Sequence, residues 1–409
     1  MISSFILKND IKVIFSKTYE VDVVALKVFT PVSVINESLD NAGISYITSR
    51  LMTRSTKNRS NEILASDIED IGAQLYSFVD YDISGIGMIF LCKYFNRAVE
   101  ILSDIILNPT FHDTELSFEK ENIIASLNSR KDIIGRVVYD EFIKLFYHKT
   151  PYAMPVLGTI KTVQKMNFKS LEQWYKYSYN SSNILISVAG NVDKNIVKKY
   201  IGKYFSLVHN GLKFKTPIFN IKHSKPIKKK IYSKFNQSYI YLGFPAPSIY
   251  DIDFISIKVA NIILGGKMSS RLFIELRENL GLAYEVGTIY PSRREMSYFA
   301  IYIGLDKENI DLALNKINKI LKDFYTLGVL EQELKDAKMY IKGLHAMNKQ
   351  TVNNQSHYYG WLEIIGKGHE YDTKYLKDID KISTKNISDA IGKLFSKDST
   401  TIIISPHLK

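Results

Sequence analysis

Residues 265–284 are Gly265-Gly-Lys-Met-Ser-Ser-Arg-Leu-Phe-Ile-Glu-Leu-Arg-Glu-Asn-Leu-Gly-Leu-Ala-Tyr284. Apolar residues recur in this stretch at helical spacing and predict a helix over 269–280 with one buried stripe, formed by Leu272, Phe273, Leu276 and Leu280. Gly281 then supplies the left-handed conformation that commonly ends a helix. An amphipathic helix accounts for these positions, but it does not account for Arg277 or Tyr284.

The composition is that of an ordinary globular protein large enough for two or three units. The chain has 409 residues, of which 45% are hydrophobic and 23% are charged. Its 54 Lys and Arg against 42 Asp and Glu leave a net charge of +12. The lysines are mostly scattered and no recognised nucleic-acid motif accompanies them, so we expect no nucleic-acid partner.

The chain carries one cysteine, Cys92, inside an apolar run, which excludes an internal disulfide and favours a buried, inert thiol. No run reaches the roughly 18 apolar residues of a membrane span. The first residues turn polar after Leu7 and then alternate like a strand, unlike a signal peptide. These features predict a cytoplasmic protein without a membrane span, with a periplasmic location as the alternative if a signal segment has been removed.

Strand-like and helix-like segments follow each other in the same order in both halves of the chain. A helix predicted at 113–130 has a counterpart at 331–347, and Glu-Leu pairs at Glu115 and Glu333 give an offset of 218 residues. This pattern predicts an α+β protein made of two similar tandem domains, each with a sheet rich in antiparallel strands and packed with helices.

The predicted boundary between the halves is a basic connector. Residues 210–217 and 223–230 combine Gly, Pro and Lys without helical period, which is typical of a solvated linker, and we place this linker at residues 213–230. The N-terminal domain would then comprise residues 1–212 and the C-terminal domain residues 231–409.

The nine residues 276–284, Leu-Arg-Glu-Asn-Leu-Gly-Leu-Ala-Tyr, resemble a substrate-site motif of the insulinase and mitochondrial-processing-peptidase (pitrilysin-like) family of zinc metallopeptidases. The resemblance implies that Arg277 and Tyr284 face a zinc ion across a chamber. A guanidinium fork can hold peptide carbonyls or a carboxylate, and a phenol can donate to a developing oxyanion. Without the resemblance, Arg277 would be interpreted as a surface salt bridge and Tyr284 as a half-buried strand aromatic.

A second resemblance is to the zinc helix of that family, with the ligands replaced. In residues 40–56, Ser45, Thr48 and Ser49 stand where the family has His, Glu and His. Ser126, or a neighbour one residue away, stands at the third ligand position. Hydroxyl groups bind zinc poorly and none can replace a general-base Glu, so we predict no zinc in this chain. No other metal site is indicated, because the eight histidines are isolated and the nearby Glu119 is interpreted as a solvated helix charge.

Further segments extend the resemblance over most of the chain. Residues 72–79 resemble the family's substrate-side edge strand, with Tyr76 in place of a usual Asn. The resemblance therefore implies substrate-binding roles for Leu75, Tyr76 and Ser77, and for the glycine-containing loop at Gly265 and Gly266.

Together these features favour a zinc-less subunit resembling that of a bacterial heterodimeric peptidase. We expect a zinc-bearing partner of the same family, or alternatively a homodimer, with peptide or unfolded polypeptide as substrate and the zinc held by the partner. An extended peptide would add to a sheet edge. The alternative is a purely structural or peptide-binding family member. An active peptidase with an unrecognised metal site is disfavoured by the missing ligand spacings.

Overall fold

The computed structural model describes residues 2–19, 21–217, 219 and 226–406. Its contacts divide the chain into two compact units, each discontinuous in sequence. The first unit comprises residues 1–128, 154–217 and 346–372, and the second comprises residues 129–153, 218–345 and 373–409.

The strands of the described residues are β1 Ile2–Ile6, β2 Lys12–Lys17, β3 Val23–Thr30, β4 Gln74–Val79, β5 Ser84–Leu91, β6 Leu185–Gly190, β7 Ile227–Tyr232, β8 Ser238–Ala246, β9 Ala283–Ile289, β10 Ser297–Leu305 and β11 Thr400–Ser405. Their α-helices are α1 Ile44–Met52, α2 Asn61–Asp70, α3 Phe95–Leu107, α4 Asp113–Arg130, α5 Ile134–Phe146, α6 Ile160–Lys165, α7 Phe168–Ser178, α8 Lys194–Phe205, α9 Phe254–Leu264, α10 Arg271–Phe273, α11 Ile310–Thr326, α12 Glu331–Met347, α13 Val352–Ile364, α14 Tyr371–Lys381 and α15 Thr384–Phe395. Short 3₁₀ segments lie at Val34–Asn36, Cys92–Tyr94, Pro151–Ala153 and Lys307–Asn309.

The first unit is built on a six-stranded sheet in the order β1-β2-β6-β3-β5-β4. Its strands pair in antiparallel fashion except β2 and β6, which are parallel. Alternate residues of the central strands, such as Leu26 and Met88, point into a core completed by apolar residues of α1 and α3. The opposite face of β3 and β6 is covered by α13, where Ala25, Ala189 and Val352 form a small buried cluster.

The second unit repeats this sheet without the extra first strand, in the order β7-β11-β8-β10-β9. Again one neighbouring pair, β7 with β11, is parallel and the others are antiparallel. One face packs against α9 and α15. The other face carries stacked tyrosines, with the rings of Tyr239 and Tyr241 6.1 Å apart, and is covered by α5, whose Phe142 ring fills the space beside Gly243.

The two sheets confirm an α+β protein with an internal duplication. Strands β2 to β6 match β7 to β11 in order, in neighbours and in direction. Each sheet has one face covered by a helix from the other half of the sequence. Helix α5 of the N-terminal half belongs to the second unit, and α13 of the C-terminal half belongs to the first. The two halves of the sequence therefore do not coincide with the two compact units.

Two expectations about local structure need correction. Strand β7 begins at Ile227, inside the predicted connector, so Lys228–Lys230 form part of a sheet edge, while residues 218 and 220–225 of that connector lie outside the described residues. Lysines on an edge strand discourage pairing with other chains. Cys92 is half-buried at the end of β5 rather than fully buried. Within the described ranges, no helix combines the length and the apolar character needed to cross a membrane.

Candidate functional site

Arg277 lies in a π-helical turn. Helix α10 continues as a π-helix over Ile274–Asn279, and the segment closes with a hydrogen bond from the Leu282 N–H to the Leu276 carbonyl, 2.9 Å long. π-Helical turns are rare and are frequently found at functional sites. The turn leaves Arg277 exposed, with its guanidinium carbon 4.9 Å from the centre of the Phe273 ring.

The guanidinium of Arg277 makes no ion pair with any carboxylate of the described residues. The neighbouring Glu275 instead pairs with Lys316 at 3.3 Å. The interpretation of Arg277 as a surface salt bridge, with Glu278, Glu275 or another carboxylate, is therefore wrong for the described residues. Its five N–H donors remain available to a ligand.

The π-helical turn also changes the predicted apolar stripe. Leu272 and Leu276 are fully buried as expected, and Phe273 is partly buried, but Leu280 is 37% exposed. The wider turn shifts the helical phase, so a stripe counted at 3.6 residues per turn fails at its last member. Gly281 ends the segment at φ +60°, which confirms the predicted left-handed stop.

Tyr284 occupies a β-bulge on the edge strand β9. Leu305 of β10 pairs with Ala283, and the next pair joins Gly304 to Glu285, so Tyr284 is the unpaired extra residue. A bulge of this kind redirects a side chain, and bulges are enriched next to active sites. The bulge breaks the alternation of β9, and both Tyr284 and Glu285 are exposed.

The phenol of Tyr284 remains protonated in its present environment. Its hydroxyl donates to Asp306 Oδ1 at 3.3 Å, a long hydrogen bond that a ligand can displace. Partial burial, together with the negative charge of Asp306, raises the pKa of Tyr284 to about 12. The group is therefore a hydrogen-bond donor at neutral pH. Asp306 was not anticipated from the sequence, although it directly follows β10.

The glycine-containing loop packs against the same edge strand. Gly265 is buried, and its carbonyl accepts a hydrogen bond from the Thr288 N–H of β9 at 3.3 Å. A Cβ at position 265 would lie 2.8 Å from that nitrogen, so only glycine permits this close approach. Gly266 is partly exposed. The structure thus gives Gly265 a packing role, and its predicted contact with substrate stays a prediction.

The three positions that resemble zinc-ligand positions lie in the core of the first unit. Ser45, Thr48 and Ser49 of α1 are each at most 1% exposed. The Ser49 hydroxyl lies 3.3 Å from the hydroxyl of Tyr179, whose pKa burial raises to about 12. A cluster of neutral hydroxyls, one of them on a bulky buried phenol, does not fit a zinc ion, which takes imidazole, thiolate and carboxylate ligands.

The third predicted ligand position is also without metal-binding chemistry. Ser126 is exposed on α4, and its hydroxyl donates to the Asn122 carbonyl at 2.9 Å. Glu119, expected to be a solvated charge, is instead 1% exposed and forms ion pairs with Arg50 and Arg54. That expectation was wrong because a helix charge can be buried when a neighbouring helix supplies cations. Across the described residues there is no group of three or more metal-ligating side chains.

A buried carboxyl group, not recognised in the sequence, holds the start of α1. Glu37 accepts hydrogen bonds from the backbone N–H groups of Gly43 at 2.7 Å and of Ser45 at 2.9 Å. These are donors that a helix N-terminus leaves unpaired. Burial raises the pKa of Glu37 to about 7, and the two backbone hydrogen bonds reduce the shift. An acidic residue shortly before a helix start was the available sequence signal.

We expect the stability of the first unit to fall as pH rises from about 5 to about 8, because Glu37 must then ionise while buried. The folded pKa lies above the ordinary value of 4.5, so the contribution is fully present below about 4.5 and is lost as pH passes about 7. The change is roughly 3 kcal/mol. Urea unfolding of Glu37→Gln should show a smaller pH slope than the native chain. The exposed Glu69→Gln is the control; an equal slope in Glu37→Gln would contradict the assignment.

The predicted edge strand is β4, the last strand of the first sheet. Tyr76 does not face outward, because its hydroxyl donates to Asn353 Oδ1 of α13 at 2.6 Å and its ring covers Gly87. Leu75 packs against the core, and Ser77 is partly buried. β4 has no second strand neighbour among the described residues, so its outer backbone edge, rather than these side chains, is available for pairing.

Comparison with protein families gives two matches along the chain. Residues 12–160 match the model described as insulinase (peptidase family M16), and residues 165–341 match the model described as the peptidase M16 inactive domain. A relative named uncharacterized zinc protease YmxG, from Bacillus subtilis, is 25% identical and the alignment covers 99% of this chain and 98% of the relative. A relative from Helicobacter pylori, named non-peptidase homolog YmxG, is 25% identical over 85% of this chain and 81% of the relative.

Two solved structures share the fold over nearly the whole chain. A peptidase M16 inactive domain from Pseudomonas fluorescens superposes with a TM-score of 0.93 at 18% identity, covering 100% of this chain and 98% of the other. A protease from Helicobacter pylori superposes with a TM-score of 0.91 at 19% identity, covering 99% and 100%. At these identities the likeness concerns the fold alone.

Proposed function

Because the chain belongs to the M16 (insulinase) peptidase family, we propose that it is a zinc-less, non-catalytic subunit that binds peptide and lends Arg277 and Tyr284 to the active site of a zinc-bearing partner chain. The inactive-domain match and the relative named a non-peptidase homolog support the non-catalytic part of this proposal. The role in a partner's site rests on the residues themselves.

The observation that carries the proposal is the placement of Arg277 and Tyr284 on two backbone irregularities. Arg277 lies in a π-helical turn and Tyr284 in a β-bulge, and both side chains are exposed. Such irregularities cost regular backbone hydrogen bonding and are enriched at functional sites. An arginine without an ion-pair partner among the described residues and a protonated phenol are suited to hold a peptide carbonyl and to stabilise an oxyanion.

The chain's own residues support substrate holding and not bond cleavage. Hydrolysis of a peptide in this family type needs a metal-activated water and a general base, and Ser45, Thr48 and Ser49 can provide neither. The zinc would therefore be held by the partner. The open edge of β4 would take an extended peptide by main-chain pairing, which favours unfolded segments over folded proteins.

Reconstitution with a zinc-bearing relative tests the proposal. The chain should be co-expressed with a family member from the same genome that carries His-x-x-Glu-His, and cleavage of an unfolded peptide should be assayed for each chain and for the pair. We expect stable association, zinc in the partner and cleavage by the pair, with no cleavage by this chain alone. Stoichiometric zinc in the purified single chain that supports its own activity would overturn the proposal.

The alternative of a purely structural or peptide-binding protein gives a different outcome of the same experiment. Such a chain would bind the unfolded peptide but leave the partner's turnover unchanged when it is added. A homodimer without any zinc-bearing partner would also contradict a shared active site.

A further inference from the structure

A cavity of about 690 Å³ lies in the first unit, at the connection between α3 and α4. Its other walls are the start of α7 and the loop that follows α8. The volume is within the range of pockets that bind small organic molecules. None of the residues proposed to hold the peptide substrate lines this cavity, so the cavity is separate from the proposed peptide site.

The cavity gathers nitrogen donors from separate elements. Lys57, His112 and His209 line it, and their side-chain nitrogens have no hydrogen-bond or ion-pair partner in the described part of the chain. Lys176 also lines it, paired at 2.9 Å with Glu172, the one carboxylate of the lining. With two lysines against one glutamate, the lining therefore carries a surplus of positive charge.

Backbone hydrogen bonds fix the main chain at these three positions. The Lys57 N–H donates to the Asn108 carbonyl at 2.8 Å, and the His209 carbonyl accepts from the Ser181 N–H at 2.9 Å. The His112 carbonyl accepts the first hydrogen bond of α4, also 2.9 Å long. The three side chains are exposed, so a ligand has to order the side chains but not the main chain that carries them.

Aromatic side chains form the remaining wall. Phe111 and Tyr175 are buried, with their ring centres 6.0 Å apart. The Tyr175 hydroxyl donates a hydrogen bond to the Ile106 carbonyl at 2.7 Å. Phe168 stands at the rim and is 48% exposed. An exposed ring in the same lining as unpartnered nitrogen donors provides a stacking surface next to an anion-binding surface.

We propose that this cavity binds a small organic anion built on a flat ring, of the class of a nucleoside monophosphate. The ring stacks on Phe168, and the phosphate is held by Lys57, His112 and His209. The lysine ammonium binds phosphate as a charge-assisted donor, an imidazole N–H can donate to a phosphate oxygen, and stacking of a base on an aromatic side chain adds to the affinity. The proposal does not depend on the proposed peptidase role, since no residue is shared between the two.

Calorimetric titration of the full chain with adenosine monophosphate, adenosine and inorganic phosphate tests the proposal. We expect saturable one-to-one binding of the monophosphate, with adenosine and phosphate each at least about tenfold weaker. Phe168→Ala should weaken the monophosphate about tenfold and leave phosphate binding unchanged. Lys57→Gln and His209→Gln should weaken both ligands that carry phosphate.

Lys385→Gln is the matched control, because it removes one positive charge from the exposed surface of α15 in the second unit. Its affinities should equal those of the native chain. Absence of saturable monophosphate binding, or equal weakening by Lys385→Gln and Lys57→Gln, would overturn the proposal. Monophosphate binding that survives Phe168→Ala and His209→Gln unchanged would do so as well.

Discussion

Tyr284→Phe is expected to lower the turnover of the reconstituted peptidase by about 10²- to 10³-fold, because it deletes a hydrogen-bond donor to the oxyanion. The phenol carries its proton at neutral pH, since its pKa is raised to about 12. The loss should therefore appear in kcat rather than in substrate affinity. Steady-state kinetics on an unfolded peptide, with the variant and native chains at equal complex concentration, measure the effect.

Arg277→Ala extends this test to the second donor of the same site. A guanidinium that holds a substrate carbonyl contributes to binding as well as to catalysis, so we expect KM to rise and kcat to fall. The exposed Tyr325→Phe on α11 is the matched control and should retain native kinetics. Native turnover in both Tyr284→Phe and Arg277→Ala, with complex formation intact, would refute the shared active site.

Asp104→Ala is expected to destabilise the first unit by about 2 to 3 kcal/mol, because it leaves its hydrogen-bond donors without an acceptor and removes one of the three carboxylates that pair with Arg59. Asp104 is 6% exposed and accepts hydrogen bonds from Thr56 at 2.7 Å and from Asn58 at 2.6 Å. It also pairs with Arg59 at 2.5 Å. This network fixes the loop that follows α1, so its loss should affect folding and not only one contact.

The measurement is the shift of the urea midpoint of the first unit at neutral pH. Burial acts to raise the pKa of Asp104, but hydrogen bonds, led by that from Thr56, hold it below its ordinary value of 3.8. Its stabilisation is therefore present above about pH 4 and is lost as pH falls through the lower folded pKa. The exposed Asp70→Ala should leave the midpoint within about 0.5 kcal/mol of native. A shift in Asp104→Ala no larger than this control would contradict the role of the network.

Much of the fold could be predicted because its signals are local. The helix expected at 113–130 coincides with α4 and that expected at 331–347 with α12, where apolar period and charged first turns agree. Duplication was visible because it preserved the order of these elements. The motif with Arg277 and Tyr284 could likewise be recognised in the sequence, because it lies within nine contiguous residues.

The features that could not be predicted depend on contacts distant in sequence. The π-helical turn at Ile274–Asn279 and the bulge at Tyr284 are fixed by how that segment meets β10, and neither has a residue pattern of its own. The burial of Glu119 depends on Arg50 and Arg54 of another helix. The inward direction of Tyr76 depends on Asn353 of α13, far along the chain. In each case tertiary packing overrode the local expectation.

The exchange of α5 and α13 has a consequence for biosynthesis. A ribosome releases β2, β3 and β6 well before Val352–Ile364, so the sheet face bearing Ala25 and Ala189 emerges without its covering helix. That face, on which Lys27 lies near the two alanines, stays open to solvent while most of the second unit is being translated, and an open sheet face on a nascent chain invites aggregation. We therefore expect nascent chains to need protection by chaperones until α13 has left the exit tunnel, and chains truncated before residue 346 to be insoluble.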